Sequence, residues 1–181
     1  NSRLLVEELM ILTGTILGLH CFQQNIPIIY RVQPQTKLPP EDTNIEKEVF
    51  QSYLKRVLKK AFYSCSPGEH FSLSSYRYLH CTSPIRRYVD LVVHRQITSS
   101  LNGDISYNQY ELSEITSHIN LKSSENLSKY RNEQKEFSIT WFQNKNSCYW
   151  KTYFIKWIKK SEEIVVLRFQ DIESDITCVL R

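Results

Sequence analysis

The sequence contains little glycine and lacks the patterns that mark several protein classes. Only 4 of its 181 residues are glycine, whereas asparagine, lysine, isoleucine, tyrosine and serine are frequent, a bias associated with AT-rich genomes such as those of plastids. The five cysteines form no C-x-x-C pair, which argues against a structural zinc site or a disulfide framework and predicts free thiols in a reducing compartment. We see no signal peptide and expect no apolar run long enough to cross a membrane.

The composition is that of a folded protein with a slight excess of positive charge. Hydrophobic residues make up 41% of the chain and aromatic residues 12%, which excludes a disordered chain. The net charge of +4 is only weak support for an anionic partner. The chain starts with Asn1 and enters a helical pattern at once, so we expect a fragment or a protein without its amino-terminal portion.

Hydrophobic periodicity predicts a mainly helical chain with a β-rich end. Ser2 is expected to cap a first helix whose apolar residues run from Leu5 to Leu19. Further helices are predicted at residues 46–62 and 108–144. Strands are predicted at residues 26–32, 149–158, 163–169 and 176–180. The last three strands predict a small antiparallel sheet or barrel.

Two glycines, Gly14 and Gly18, lie four residues apart on one face of the first predicted helix. Each costs about 1 kcal/mol relative to alanine in a helix interior. Either another backbone or a ligand approaches this face closely, or packing elsewhere tolerates the two residues. The sequence leaves both interpretations open.

The segment TSPIRRY predicts a phosphate-binding helix start. Ser83 is predicted to cap, and Pro84 to begin, a helix that runs to about Leu101. Free backbone N–H groups and the helix dipole favour phosphate at such an end. Arg86 is predicted to lie in the first turn, where its guanidinium can bind a phosphate through two hydrogen bonds. Without an anion, Arg86 and Arg87 would oppose the dipole there.

Arg86, Asp90 and His94 are spaced i, i+4 and i+8 on this predicted helix. They form either an intrahelical ion pair worth a few tenths of a kcal/mol or an arrangement in which Asp90 holds the Arg86 fork in position. The residues predicted to enter the core are Ile85, Val89, Val92 and Val93.

Several ordered motifs resemble those of the ribonuclease II/R family. YLHCTSPIRRYVDLVVHR at residues 78–95 is similar to the family signature, with Cys81 where an aromatic residue is usual. SRLLVEELMIL at residues 2–12 resembles a family helix, and IPIIYRVQPQTKLP follows it. QPQTKLP and Gly14 look most similar to the cyanobacterial and plastid branch. The resemblance covers residues 1 to about 145.

The resemblance implies an α+β fold. Residues 1–145 would be the mainly helical carboxy-terminal part of an RNB catalytic domain, and residues 146–181 the start of an oligonucleotide-binding β-barrel. The family resemblance further implies a magnesium-dependent hydrolase that degrades single-stranded RNA from its 3′ end to nucleoside 5′-monophosphates. Its branch implies a plastid stroma or a cyanobacterial-type cytoplasm.

The resemblance also assigns candidate site residues. Arg86 is similar to the arginine that contacts phosphate near the scissile bond. Glu8, or alternatively Glu7, is similar to an acidic residue that contacts the RNA end, so Arg86 and Glu8 are the candidate catalytic residues. The candidate residues for RNA contact or scaffolding are Glu7, His80, Arg87 and Tyr88.

The family's metal-binding aspartates belong to an earlier segment that this sequence does not contain. No aspartates here show a spacing that would hold a metal together with Glu7 or Glu8, and Asp171 and Asp175 are expected to be solvated. We therefore predict that the chain alone has no nuclease activity. Its expected partners are single-stranded RNA and the missing amino-terminal part of the same enzyme, with no membrane.

Two hypotheses remain as alternatives to the hypothesis that the chain is part of an exoribonuclease. One is a catalytically inert remnant that still binds RNA. The other is a helical interaction module whose basic face binds an acidic protein, although this hypothesis treats the ordered motifs as coincidence. An aspartate cluster encoded upstream would favour the enzyme, and a start codon near Asn1 would favour the remnant.

Overall fold

The structure is a computed structural model that describes residues 2–38, 46–145 and 149–180. The helices are α1 (Ser2–Gln23), α2 (Lys47–Val57), α3 (Tyr88–Leu101) and α4 (Gln109–Gln143). The strands are β1 (Tyr30–Val32), β2 (Phe62–Ser64), β3 (Glu69–His70), β4 (Ser75–Tyr76), β5 (Thr152–Lys159), β6 (Ile164–Phe169) and β7 (Ser174–Val179). Helices joined to small antiparallel sheets confirm the α+β class.

The long helix and the three last strands confirm the sequence predictions, while two earlier boundaries were wrong. The strand predicted from residue 26 begins only at Tyr30. The helix predicted to reach residue 62 ends at Val57, because Leu58 is extended with ψ 124°, and Phe62 starts β2.

The chain divides into two compact units. The first comprises Asn1–Gln35 and Lys59–Leu127, and the second comprises Thr36–Leu58 and Ser128–Arg181. The division into domains at residues 1–145 and 146–181 remains a prediction about the evolutionary domains. All the candidate site residues belong to the first unit.

Two groups of buried side chains form the core of the first unit. One group joins the end of α1 to the segment before α3, and its members are Cys21, Ile28, Tyr30, Leu79, Cys81 and Val93. The other joins α3 to the start of α4, and its members are Ile29, Tyr63, Val89, Val92 and Leu112. Val89, Val92 and Val93 thus confirm their predicted burial. Ile85 does not, because it is fully exposed.

The glycine face of α1 packs directly against the backbone that leads into the TSPIRRY segment. A Cβ atom on Gly14 would lie 2.3 Å from the carbonyl oxygen of Leu79, and one on Gly18 would lie 1.7 Å from that of Arg77. The Leu79 N–H also donates a hydrogen bond to the Gly14 carbonyl, at 3.3 Å. Close backbone approach is therefore the correct interpretation of this glycine pair.

The other faces of α1 expose most of its large apolar side chains. Leu9, Leu12 and Ile16 have more than half of their surface exposed, at 52%, 52% and 56%. By length and composition the helix could cross a membrane, with a mean hydropathy of 1.6 over 18 residues. The expectation that no segment has this property was wrong. The core helix of a larger protein passes the same test.

The second unit contains a three-stranded antiparallel sheet in the order β5-β6-β7, with α2 packed on it, and the last part of α4. Asp175 on β7 pairs with Arg168 at 3.1 Å and with Arg56 at 2.7 Å, and it accepts a hydrogen bond from the buried hydroxyl of Ser52. The expectation that Asp175 is solvated was therefore wrong. This carboxylate neutralises Arg168, whose side chain is only 5% exposed.

Candidate phosphate site

The segment before α3 forms a tight turn instead of the predicted helix start. The Ser83 carbonyl accepts hydrogen bonds from the N–H groups of Arg86 at 3.2 Å and Arg87 at 3.0 Å. Arg87 then adopts an extended conformation, with φ −122° and ψ 111°, and α3 begins only at Tyr88. The predictions that Ser83 caps the helix and that Pro84 begins it were wrong.

Asp90 explains why the helix starts late. Its side chain is fully buried, and its Oδ2 accepts hydrogen bonds from the Ser83 N–H at 2.8 Å and from the Arg87 Nε and Nη2 at 3.1 and 2.8 Å. One carboxylate oxygen therefore holds both ends of the turn. Asp90 pairs with Arg87 at i,i+3 spacing, so the predicted pairing with Arg86 was wrong.

Arg86 is exposed on this turn, and none of the described side chains pairs with its guanidinium. It faces a cavity of about 590 Å³, all of it within the first unit. The residues that line the cavity are Tyr63, Arg86, Arg87, Tyr88, Val89, His118, Ile119, Lys122, Ser123 and Asn126. Three of them are cationic and none is acidic, so the cavity suits an anion.

Tyr63 forms a rigid wall of this cavity. Its backbone N–H donates to the side-chain Oδ1 of Asn120 at 2.9 Å, and its backbone carbonyl accepts from the side-chain Nδ2 of Asn120 at 2.8 Å. The Arg31 guanidinium lies 4.4 Å from the centre of its ring. The ring is thereby held by contacts on its backbone and on its face.

His80 lies behind Tyr63 and does not line the cavity. Its Nδ1 is 3.0 Å from the Tyr63 hydroxyl. Burial, reinforced by the positive charges of Arg87 and Arg31, lowers the pKa of His80 to about 4. The imidazole is therefore neutral near pH 7 and supports the tyrosine ring.

The structure brings together three of the candidate residues and separates the rest. Arg86, Arg87 and Tyr88 share the cavity, and Tyr88 is 52% exposed at the first position of α3. Glu7 and Glu8 are exposed near the start of α1 and are not among the lining residues. The roles assigned to these residues remain proposals.

Four polar lining residues on α4, His118, Lys122, Ser123 and Asn126, escaped the sequence analysis. His118, Lys122 and Asn126 follow one another at four-residue intervals and form one face of the helix. The Lys122 ammonium lies 2.9 Å from the Glu125 carboxylate, but both side chains are about half exposed, so this pair holds the lysine only weakly. The regular spacing of His118, Lys122 and Asn126 was the available signal.

The described residues offer no group of side chains that would hold a magnesium ion. Within the described ranges, no three histidine, cysteine, aspartate or glutamate side chains come close enough to hold a metal ion. Asp90 is the one carboxylate at the turn, and its Oδ2 is already engaged by Ser83 and Arg87. The four cysteines that the structure describes are free thiols, as predicted.

Part of the chain matches a described protein family. Residues 36–103 match the RNB domain. An uncharacterized ribonuclease from Synechocystis is 27% identical over 175 residues, covering 94% of this chain and 26% of its own length. A ribonuclease II of Arabidopsis thaliana, named as chloroplastic/mitochondrial, is 29% identical over 97% of this chain and 21% of its own length.

Solved structures share the fold at low sequence identity. An active-site mutant of the Dss1 exoribonuclease from Candida glabrata has a TM-score of 0.85 at 20% identity, covering 99% of this chain and 24% of that chain. Mycoplasma genitalium RNase R in complex with ribose-methylated single-stranded RNA has a TM-score of 0.74 at 22% identity, covering 94% of this chain and 32% of that chain.

The chain spans about a quarter of the length of the curated relatives that it matches. The matched RNB residues include the TSPIRRY turn and all of α3. The expected resemblance to the ribonuclease II/R family is therefore confirmed.

Proposed function

We propose that this chain is part of a 3′-to-5′ exoribonuclease that hydrolyses single-stranded RNA to nucleoside 5′-monophosphates. In this proposal the chain supplies phosphate contacts, and magnesium is held by aspartates outside it. The observation that carries the proposal is the cavity at Arg86, which is unpaired among the described residues: Arg87 and Lys122 also line this cavity, and no acidic side chain does. Two relatives that are named as ribonucleases align with nearly the whole chain, which supports the proposal.

Arg86 is the residue that contacts phosphate in this proposal. It stands on a turn fixed by Asp90, so its backbone position does not depend on the ligand. Its planar guanidinium can donate two parallel hydrogen bonds to one phosphate. Arg87 contributes positive charge to the cavity, but its fork is already engaged by Asp90.

An RNA-binding titration of the purified chain at several salt concentrations tests this role. We expect Arg86→Ala to weaken binding to a single-stranded oligonucleotide and to reduce the salt slope by about one. Lys129→Ala is the matched control, since it removes an exposed cation from α4 outside the cavity. If the two substitutions weaken RNA binding equally, Arg86 does not have the proposed role of contacting phosphate.

The arrangement of the described carboxylates gives a second expectation. The purified chain with magnesium should release no mononucleotides, because its described carboxylates form no metal-binding group. Measurable magnesium-dependent release would contradict this. A catalytically inert remnant that binds RNA would also release no mononucleotides when it is tested alone. Addition of the remaining part of an RNB enzyme distinguishes the two hypotheses, because the remnant would stay inactive.

The partner that we propose for α1 is that remaining part. The exposed apolar faces of the helix suit burial against protein, and Glu7 and Glu8 near its start disfavour a membrane interior. Co-elution with the remaining segment of the Synechocystis ribonuclease should be lost in Leu12→Asp/Ile16→Asp. Association of the unmodified chain with lipid vesicles instead would refute the proposal. By analogy with the named relatives, we place the protein in a plastid or a cyanobacterial-type cytoplasm.

A further inference from the structure

Arg77 directly follows β4 and packs against the last turn of α1. Its guanidinium carbon lies 3.9 Å from the centre of the Phe22 ring and 5.0 Å from the centre of the Tyr76 ring. Both distances are within the limit of about 6 Å for a cation–π contact. Two aromatic side chains, one from α1 and one from β4, therefore hold this guanidinium in place.

The backbone of Arg77 adopts a left-handed conformation, with a φ of 65°. This conformation costs a residue with a side chain about 1 kcal/mol or more, whereas glycine adopts it without strain. Two contacts impose it. The Arg77 N–H donates to the Gly68 carbonyl at 3.1 Å, and the Arg77 carbonyl oxygen occupies the space that a Cβ atom on Gly18 would need. An arginine at a position that suits glycine indicates a role for its side chain.

No carboxylate of the described residues pairs with Arg77. Its side chain is partly buried, and its Nε is buried without a hydrogen-bond partner. Arg87 and Arg168, by contrast, pair with the carboxylates of Asp90 and Asp175. Because a partly buried charge without a counter-charge is unfavourable, the terminal nitrogens of Arg77 suit a carboxylate that comes from outside the described residues.

The exposed apolar face of α1 ends beside this arginine. Leu12, Ile16 and Leu19 recur at four- and three-residue intervals, and Phe22 follows three residues later; all four are exposed. Aromatic residues and arginine within an apolar surface are typical of the centre of protein–protein interfaces, where a few such residues supply most of the binding energy. The charge of Arg77 therefore favours a protein surface that presents apolar side chains and one carboxylate.

We propose that Arg77 binds an aspartate or glutamate of the protein segment that covers α1. This inference rests on the proposed function, in which that segment is the remaining part of the enzyme. The carboxylate accepts two parallel hydrogen bonds from the terminal nitrogens of the guanidinium, which Phe22 and Tyr76 hold in position. The apolar face of α1 supplies contact area, and the ion pair at its end fixes the position of the segment along the helix.

Titration of the full chain with the remaining segment of the Synechocystis ribonuclease, at several salt concentrations, tests this proposal. We expect Arg77→Gly to weaken the association about 30-fold or more, the loss typical of a central interface arginine, and to reduce its salt dependence. Glycine adopts the observed φ without strain, so hydrogen exchange of α1 and α3 should stay unchanged. Arg77→Lys keeps the charge but not the planar fork, and should weaken the association about 3- to 10-fold.

Arg131→Ala is the matched control, because it removes an exposed arginine from the part of α4 that belongs to the second unit. If Arg77→Gly associates as Arg131→Ala does, while Leu12→Asp/Ile16→Asp still abolishes the association, the role of Arg77 is refuted and the proposed partner of α1 stands. If Arg77→Gly instead weakens RNA binding as much as Arg86→Ala does, Arg77 contacts nucleic acid and the proposal is overturned. If the unmodified chain does not associate with the segment, both proposals fail.

Discussion

Replacing Arg87 and Arg86 one at a time with alanine should separate folding from ligand binding. The two arginines are neighbours in the sequence and have the same chemistry. Arg87 donates two hydrogen bonds to the buried Asp90 carboxylate, whereas Arg86 is exposed and unpaired among the described residues. We therefore expect Arg87→Ala to destabilise the protein and Arg86→Ala to leave its stability unchanged.

The magnitude follows from the burial of the pair. The Asp90 side chain is 0% exposed and that of Arg87 is 23% exposed. Removing one partner from a buried pair costs about 3 to 5 kcal/mol. Because water reaches Arg87, and the Ser83 N–H still serves the carboxylate, we expect the lower end, about 3 kcal/mol. Arg86→Ala should change the free energy of unfolding by less than about 0.5 kcal/mol.

The assay must report on the first unit. The three tryptophans, Trp141, Trp150 and Trp157, all belong to the second unit, so tryptophan fluorescence follows the wrong part of the chain. Backbone hydrogen exchange of α3 measures the local stability directly. Faster exchange throughout α3 in Arg87→Ala, with wild-type exchange in Arg86→Ala, is the expected result.

Two results would refute this reasoning. One is exchange in Arg87→Ala within about 0.5 kcal/mol of the unmodified chain, which would mean that Asp90 does not depend on the arginine. The other is equal destabilisation by both substitutions, which would mean that Arg86 belongs to a regular first turn, as the sequence had predicted.

Three further changes test other contacts. Gly18→Ala should lower the free energy of unfolding by about 1 to 3 kcal/mol, because the added methyl group forces α1 away from Arg77. A higher urea midpoint in this variant would show that the close contact is absent. Asp175→Ala should lower the free energy of unfolding by about 3 kcal/mol, because it leaves Arg168 buried without this carboxylate. The urea midpoint followed by tryptophan fluorescence should fall, and an unchanged midpoint would contradict this. The first unit should lose stability as the pH falls from about 6.5 to about 4, because the unfolded chain takes up a proton on His80 before the folded chain does. His80→Gln should flatten that part of the profile.

The sequence predicted α4 well because its pattern is regular over many turns. Apolar residues recur at helical spacing from Leu112 to Phe137, and the interval contains no proline or glycine. The observed helix, Gln109–Gln143, differs from the predicted range by one residue at each end. Local periodicity suffices where no distant contact competes with it.

The candidate site was harder to predict because its decisive contact is not local. Ser83 followed by Pro84 is a good helix start by itself, but Asp90 binds the Ser83 N–H from seven residues away and draws the segment into a turn. Ile85 was assigned to the core on the assumption that the helix extended back to it, and the turn leaves it exposed. The residues of α4 that face Arg86 depend on tertiary packing, which periodicity does not supply.

The glycine face of α1 has a mechanical consequence for the Arg86 turn. Helices that pack through long side chains absorb small displacements by changes of rotamer, whereas Gly14 and Gly18 place backbone directly on backbone. A shift of α1 would therefore pass undiminished to residues 77–79, and from there to the turn that follows. A protein surface that packs against α1 and displaces it would therefore also displace the turn that carries Arg86.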